Sequence, residues 1–151
     1  MEKARLKTLR ERVGEEIALS DWMTVSQERI NAFADCTEDR QWIHLDEEKA
    51  RNSPLKGRVA HGFLLLSLLP HLNRENDVFR MRYRMLINYG LNRVRFIHPV
   101  HAEKRIRCRA VLKHVTRKGF RKILVTVENT LEIEGENRPA LVAELLALIV
   151  T

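Results

Sequence analysis

The chain has 151 residues, 44% of them hydrophobic, and its 27 Lys and Arg residues outnumber 20 Asp and Glu residues to give a formal net charge of +7. This length and composition indicate one globular domain with a substantial core, and they exclude a disordered chain or a small disulfide scaffold. The positive charge favours an anionic partner, such as a phosphorylated cofactor, an acidic carrier protein or nucleic acid, without choosing among them.

The two cysteines, Cys36 and Cys108, match no zinc-ligand spacing, so we expect free thiols in a reducing cytoplasm. No stretch approaches the roughly 20 apolar residues that a transmembrane helix needs. Residues 1–7 lack the apolar segment of a signal peptide. The sequence therefore predicts a cytoplasmic protein with no membrane partner.

The first helix is predicted within residues 1–14. Leu6, Leu9 and Val13 recur there at helical spacing among charged residues, and a glycine follows that can end the helix. Residues 17–23 are short and mixed in character, which suits an edge strand.

A second helix begins at a capping residue, Thr24 or Ser26, and ends near Thr37. Residues 38–56 show little periodicity, and we expect an ordered loop with a turn of helix at 46–51. Ordered loops on a rigid scaffold are common places for functional residues.

The sequence between Phe63 and Leu69 organises the rest of the chain, because every residue there except Ser67 is large and apolar. A helix built from it has no polar face for water, so we expect a buried central helix over residues 58–72. Pro70 is expected to kink or end that helix.

The C-terminal half predicts strands. Residues 73–85 are polar and rich in arginine, as in a surface loop. Strands are then expected at 91–97, 104–111, 123–133 and, with helix as the alternative, 140–150. In the second of these strands, alternate positions carry Arg105, Arg107 and Arg109. The predicted fold is α+β, an antiparallel sheet wrapped around one long helix.

Asp39 and His44 lie five positions apart in the predicted loop. A carboxylate and an imidazole that meet at one water molecule can add or remove a proton near neutral pH. The alternative is structural: Asp39 as a turn residue and His44 as a hydrogen-bonded, partly buried histidine.

The pair His61-Gly62 opens the central helix. Free N–H groups at a helix N-terminus, with a glycine that permits close approach, suit a developing oxyanion. The alternative is that Gly62 merely fits a tight turn into the helix. Ser67 either bonds back to a carbonyl of its own helix or contacts substrate.

These motifs resemble a known family. The runs FADCTEDRQWIHLD (33–46) and VAHGFL (59–64), followed by Ser67, resemble the hydratase motif of MaoC-like, (R)-specific enoyl-CoA hydratases. That resemblance implies a single hot-dog domain over residues 1–151. In this family an antiparallel sheet wraps a central helix, and the proteins usually pair their sheets edge to edge as homodimers.

One departure from the family motif is visible. Gln41 and Trp42 stand where the family usually has Asn and Pro. This pair resembles the nodulation protein N-like branch of the MaoC superfamily, and so do three further runs: SDW (20–22), QERI (27–30) and INYGLN (87–92).

The resemblance also implies a reaction. Asp39 and His44 would hold the water that adds to C3 of a 2-enoyl thioester, and the N–H of Gly62 would hold the enolate oxygen. His61, Ser67, Gln41 and Trp42 would complete the substrate site. The substrate would be an acyl-CoA or an acyl carrier protein thioester, with no cofactor and no metal.

Several arginines could meet the phosphates of coenzyme A or an acidic carrier, or simply face solvent. They are Arg80, Arg82, Arg84, Arg93, Arg95, Arg105, Arg107 and Arg109.

Two other classes of function compete with an enzyme. A non-catalytic thioester-binding or regulatory subunit would follow if Trp42 reshapes the pocket beside His44. Nucleic-acid binding would suit the charge but lacks the interleaved aromatic residues of a single-strand binder, so we expect no nucleic-acid partner. His98 and His101 make a weak metal site because no carboxylate or cysteine pair accompanies them.

Overall fold

A computed structural model describes residues 2–80 and 82–151. Met1 and Met81, which fall in the predicted first helix and the predicted surface loop, lie outside the described residues. The helices are α1 Glu2–Glu11, α2 Gln27–Thr37, α3 Trp42–Leu45, α4 Glu47–Arg51, α5 Gly62–Ser67, α6 Leu69–Leu72 and α7 Asp77–Arg80. The strands are β1 Glu16–Leu19, β2 Met23–Thr24, β3 Met85–Phe96, β4 Arg105–Arg117, β5 Lys122–Ile133 and β6 Leu141–Val150.

The strands form one antiparallel sheet in the order β1-β4-β5-β6-β3, with β2 also paired to β4. Alternation along β4 explains its two faces: Ile106 and Cys108 are buried under the helices, while Arg105 points to the outer face. The predicted α+β fold is confirmed, and residues 140–150 form a strand rather than a helix. That strand, β6, lies between β5 and β3.

The central helix starts later than predicted. Residues 58–61 are extended instead, because Val59 bridges to His101 and the N–H of Ala60 donates to the Val100 carbonyl at 2.8 Å. The helical path breaks once, at Leu68, between α5 and α6. This break lies just before Pro70, in agreement with the predicted kink, and the proline stands in the first turn of α6, where its missing N–H costs nothing.

The expectation of a fully buried central helix is wrong for one face. Leu64 and Leu65 are buried, but Phe63 is 68% exposed and Ser67 is also exposed. The reason is position: α5 packs against β6 and α6 against β4, which leaves the β3 side of the helix open.

The predicted loop at 73–85 holds a helix. Within α7, Val78 and Phe79 are buried against β1 and the ends of β4 and β6. The following strand, β3, begins at Met85, six residues before the predicted start, because its first residues pair with the end of β6.

The core consists of two apolar clusters. One lies beneath α2, α5 and α6, and the other lies beneath α1 and α7. Between them sits a buried group of polar side chains that we call the asparagine network: Asn73, Asn76, Cys108 and Asn129. No described helix combines the length and the apolar character needed to cross a membrane.

Candidate active site

His44 lies in α3, a single turn that the chain forms between α2 and α4. The side chain of Gln27 donates to the His44 carbonyl at 2.8 Å, which ties this turn to α2. The ring of His44 is buried, and its Nδ1 lies 2.7 Å from the Val59 carbonyl. A carbonyl only accepts, so Nδ1 carries the proton and Nε2 of the neutral ring keeps a free lone pair.

His61 is the last residue before α5 and is only 2% exposed. Its Nε2 lies 2.9 Å from the backbone carbonyl of Asp39, to which it must donate. Its Nδ1 is buried without a hydrogen-bond partner among the described residues. The side chain therefore holds the Asp39 loop in place, and the substrate contact implied by the resemblance stays a prediction.

Asp39 follows the end of α2. Glu38 takes a left-handed conformation, φ 63°, and this turns the chain back after the last helical residue. The Asp39 side chain is exposed, yet one of its carboxylate oxygens and one ring nitrogen from each of His44 and His61 all lie within 4.8 Å of one another. The predicted Asp39 and His44 are thus brought together, and His61 joins them.

The two imidazoles stack face to face, with ring centroids 3.7 Å apart and 24° between the planes. Burial lowers the pKa of His44 most, and the charge of His61 lowers it further, against the Val59 hydrogen bond and the Asp39 charge, which raise it. The net lowering keeps His44 neutral at pH 7, the state in which its Nε2 can accept a proton.

Histidine and aspartate are also donor groups for a divalent metal such as zinc. In each histidine the other ring nitrogen lies on a backbone carbonyl, as it does in most metal-ligating histidines, so Asp39, His44 and His61 are also able to hold a divalent ion.

Gly62 begins α5, so its N–H has no partner within the helix. A side chain here would press on Phe96 at the end of β3, because an ideal Cβ on Gly62 lies 3.0 Å from that half-exposed ring, which would have to shift by a few tenths of an ångström. The glycine therefore permits this close packing, and its N–H remains available to a ligand. No local pattern predicts the Phe96 contact, because it joins residues 34 positions apart.

Three further predicted residues lie around this centre. The hydroxyl of Ser67 donates to the Leu64 carbonyl at 2.7 Å, which is a bond within its own helix. Gln41 is exposed at the start of α3. The Trp42 ring lies under the Lys49 ammonium, 4.7 Å from its centroid, and faces α4.

The arginine stripe on β4 is neutralised within the chain. Arg105 pairs with Glu134, Arg107 with Glu132, and Arg109 with both Glu132 and Glu16. The solvent-facing interpretation of this stripe is therefore favoured over a phosphate site.

Comparisons with known proteins identify the family. A family model described as "MaoC like domain" matches residues 8–134. Nodulation protein N of Rhizobium leguminosarum bv. viciae is 43% identical over 150 residues, which cover 99% of this chain and 93% of the relative. The 3-hydroxyacyl-thioester dehydratase Z of Mycobacterium tuberculosis is 44% identical over 132 residues, 87% of this chain and 86% of the relative.

Solved structures share the fold. The monoamine oxidase regulatory protein from Archaeoglobus fulgius superposes with a TM-score of 0.77 at 27% identity, over 92% of this chain and 90% of that chain. The (R)-hydratase from A. caviae involved in PHA biosynthesis gives a TM-score of 0.73 at 21% identity, over 89% of this chain and 94% of that chain.

Proposed function

The chain belongs to the MaoC-like dehydratase family, and from that premise we propose that it hydrates 2-enoyl thioesters to (R)-3-hydroxyacyl thioesters or runs the reverse dehydration. The acyl carrier in this proposal is coenzyme A or an acyl carrier protein. The observation that carries the proposal is the buried, neutral His44, which keeps its Nε2 free and has one ring nitrogen within 4.8 Å of an Asp39 carboxylate oxygen.

In this proposal, one water molecule lies between Asp39 and His44. The carboxylate of Asp39 accepts a hydrogen bond from the water and orients it, while Nε2 of His44 removes the other proton. The water oxygen forms a bond to C3, and the electrons of the C2–C3 double bond move onto the thioester oxygen. His44 is then an imidazolium, held beside the Asp39 charge.

The second half of the reaction returns the proton. His44 delivers it to C2, the enolate collapses to the thioester, and the imidazole is neutral again. The N–H of Gly62 donates to the thioester oxygen while it carries the negative charge. One oxyanion donor of this kind is typically worth about 10²–10³ in kcat.

The test follows the absorbance of crotonyl-CoA and longer 2-enoyl-CoAs during hydration by the wild type, Asp39→Asn and His44→Ala. We expect turnover by the wild type and a loss of at least about 10²-fold in each variant, because each removes a group that handles the water. Ser67→Ala is the matched control, since its hydroxyl already bonds to its own helix. Chiral analysis of the product tests the (R) assignment.

Tight binding of enoyl-CoAs with no turnover at any chain length would contradict this proposal and favour the thioester-binding subunit. The feature behind that alternative was Trp42, whose ring faces Lys49. One more variant distinguishes the two proposals: Trp42→Ala should leave the rate nearly unchanged if the residue only packs on α4.

We infer that two copies pair through β3. This 12-residue strand forms one edge of the sheet and leaves half of its backbone groups without a strand partner. Large apolar side chains are exposed along it: Met85, Ile87, Tyr89, Leu91 and Phe96. The uncovered Phe63 of α5 lies beside Phe96, with ring centroids 5.8 Å apart, and extends the same surface.

The homodimer is tested by mass in solution, which should be close to twice 17.7 kDa. Leu91→Lys should shift the protein toward the monomer, because a charge on β3 disfavours edge pairing. Leu19→Lys is the matched control at the other edge, since Leu19 is 44% and Leu91 40% exposed. A monomeric wild type would contradict the inference.

A further inference from the structure

Asp39, His44 and His61 bring three metal-binding groups together. One carboxylate oxygen and one nitrogen of each ring lie within 4.8 Å of one another, and this is the one group of three or more such side chains that the described residues contain. Two imidazoles and a carboxylate are a ligand set that zinc sites with three protein ligands use, and water takes the fourth position. His98 and His101, the pair that the sequence offered, do not belong to such a group.

The outer hydrogen bonds of both rings match those of metal-ligating histidines. Nδ1 of His44 donates to the Val59 carbonyl at 2.7 Å, and Nε2 of His61 donates to the Asp39 carbonyl at 2.9 Å. A metal-ligating histidine almost always gives its second N–H to an acceptor of this kind, which fixes the tautomer and orients the ring. The nitrogens that keep a lone pair are therefore Nε2 of His44 and Nδ1 of His61.

Nδ1 of His61 is the observation that points to a ligand. The side chain is 2% exposed, and this atom has no hydrogen-bond partner among the described residues. A buried polar atom without a partner costs free energy, so it calls for an explanation. A metal ion supplies one, because it bonds to the lone pair directly and needs no donor group from the protein.

The two rings are held in position before an ion arrives. Their centroids are 3.7 Å apart, and the side chain of Gln27 ties the turn that carries His44 to α2. Two nitrogens at about 2.0–2.1 Å from one tetrahedral zinc lie about 3.3 Å from each other, so binding requires a tilt of the rings and no rearrangement of the backbone. The Asp39 side chain is exposed, so it can turn toward the ion and leaves a path from solvent.

We propose that Asp39, His44 and His61 form an inhibitory site for Zn²⁺, which takes the place of the catalytic water. Metal binding requires only the three side chains, whereas the inhibition rests on the proposed function. In that function, Asp39 orients the water and Nε2 of His44 accepts its proton. An ion bound to both groups leaves neither of them free, so no proton is removed and turnover stops. Zinc is therefore an inhibitor of this site and not a cofactor.

Direct binding tests the site without any turnover. The protein is first treated with a chelator and is then titrated with Zn²⁺ in competition with a chromophoric zinc indicator. We expect one ion per protomer. Asp39→Asn and His61→Asn should each weaken binding by at least about 100-fold, because loss of a ligand costs more than loss of an outer hydrogen-bond partner.

Two other metal-binding side chains serve as matched controls. His114 and Cys36 are both exposed and lie outside the cluster. His114→Asn and Cys36→Ser should therefore bind zinc as the wild type does. Equal zinc affinity in the wild type, Asp39→Asn and His61→Asn would overturn the proposal.

Co²⁺ in place of Zn²⁺ reports the type of ligand. With nitrogen and oxygen ligands, the wild type should show visible d–d absorption and no thiolate-to-cobalt charge-transfer band in the near ultraviolet. The visible absorption should be lost in His61→Asn. A charge-transfer band that Cys36→Ser abolishes would place the ion at the exposed thiol and overturn the proposal.

The inhibition is measured with crotonyl-CoA at increasing Zn²⁺. The rate should fall in proportion to the fraction of sites occupied in the binding titration, and excess chelator should restore it. Mg²⁺ at the same concentrations should leave the rate unchanged, because it prefers oxygen ligands and does not compete for imidazoles. The activity that remains in His61→Asn should need at least about 100-fold more zinc for half inhibition. The same zinc dependence in this variant and the wild type would overturn the proposal.

Binding and rate together separate the two claims. If the wild type binds zinc through these ligands but turns over no enoyl thioester, the proposed function has failed and the metal site stands. If the wild type is active and binds no zinc, or keeps its full rate with the site occupied, the inhibitory site has failed and the proposed function stands. A rate that rises with zinc occupancy would overturn the inhibition, because the ion would then be a cofactor.

Discussion

Two buried polar clusters interrupt the apolar core, and they differ in how completely they are hydrogen-bonded. In the asparagine network, Nδ2 of Asn73 donates to Oδ1 of Asn129 at 2.7 Å, and Nδ2 of Asn129 donates to the Val127 carbonyl at 2.9 Å. The histidine cluster leaves Nδ1 of His61 unpaired and the Nε2 lone pair of His44 free.

The comparison separates a structural role from a chemical one. A fully bonded buried network stabilises one arrangement of the core and offers nothing to a ligand. An unpaired buried atom costs free energy, so it persists where binding or catalysis uses it. Variants of the first cluster should therefore change stability, and variants of the second should change rate.

The largest expected effect concerns the N–H of Gly62. Gly62→Pro removes this donor, and the preceding His61, at φ −60° and ψ 135°, already has a conformation that a following proline accepts. Gly62→Ala keeps the N–H but adds the same Cβ against Phe96. We expect kcat with crotonyl-CoA to be about 100-fold lower in the proline variant than in the alanine variant. Equal rates in the two would contradict the oxyanion role.

The next largest effect is a loss of folding stability when a member of the asparagine network is replaced. Asn129→Leu removes the shortest hydrogen bond of Asn73 Nδ2 and leaves it the Leu69 carbonyl and a long contact with Sγ of Cys108, so the free energy of unfolding should fall by about 1–3 kcal/mol. The double variant Asn73→Leu/Asn129→Leu should recover part of that loss, because both polar partners are then gone. Urea unfolding at one fixed protein concentration measures both, and kcat of the folded protein should stay near the wild-type value.

A smaller effect is expected in the pH dependence. His44 must be neutral to act as a base. We therefore expect kcat/KM to have its full value at pH values above the pKa of His44 and to fall as the pH drops through that pKa. Burial lowers that pKa, which places the acid limb below pH 6.5. His61→Asn removes the stacked ring whose charge lowers it further, so the limb should move to higher pH. A limb that stays in place would restrict His61 to a purely structural role.

Local patterns predicted much of the sheet. In β4, Arg105, Arg107 and Arg109 alternate with apolar residues, and burial along the strand alternates with the same period. The start of β3 was missed because the apolar residues from Met85 do not alternate and follow an arginine-rich run. The extended residues 58–61 were missed because their partners, Val100 and His101, lie some 40 positions away.

Local patterns likewise predicted some residues of the candidate site and missed the roles of others. Asp39 and His44 were found because their spacing places them in one loop. The role of the His61 ring depends on a bond to a carbonyl 22 positions earlier, and that of Phe96 on where β3 ends. Long-range placement of this kind leaves no periodic signal in the sequence.

The smallest expected effect separates the two thiols and uses Cys108 to report on the asparagine network. Burial raises the pKa of Cys108 to about 12, so almost no thiolate forms at pH 8, whereas Cys36 is exposed. Ellman's reagent should titrate one thiol in the native protein and two in denaturant, and Cys36→Ser should remove the native reaction. In Asn129→Leu the slow reaction of Cys108 should speed up, because the thiol loses its 3.4 Å contact with Oδ1 of Asn129 and the core opens more often. His44→Ala, made in the other cluster, should leave that slow reaction unchanged, and an acceleration there would mean that the two clusters open as one unit.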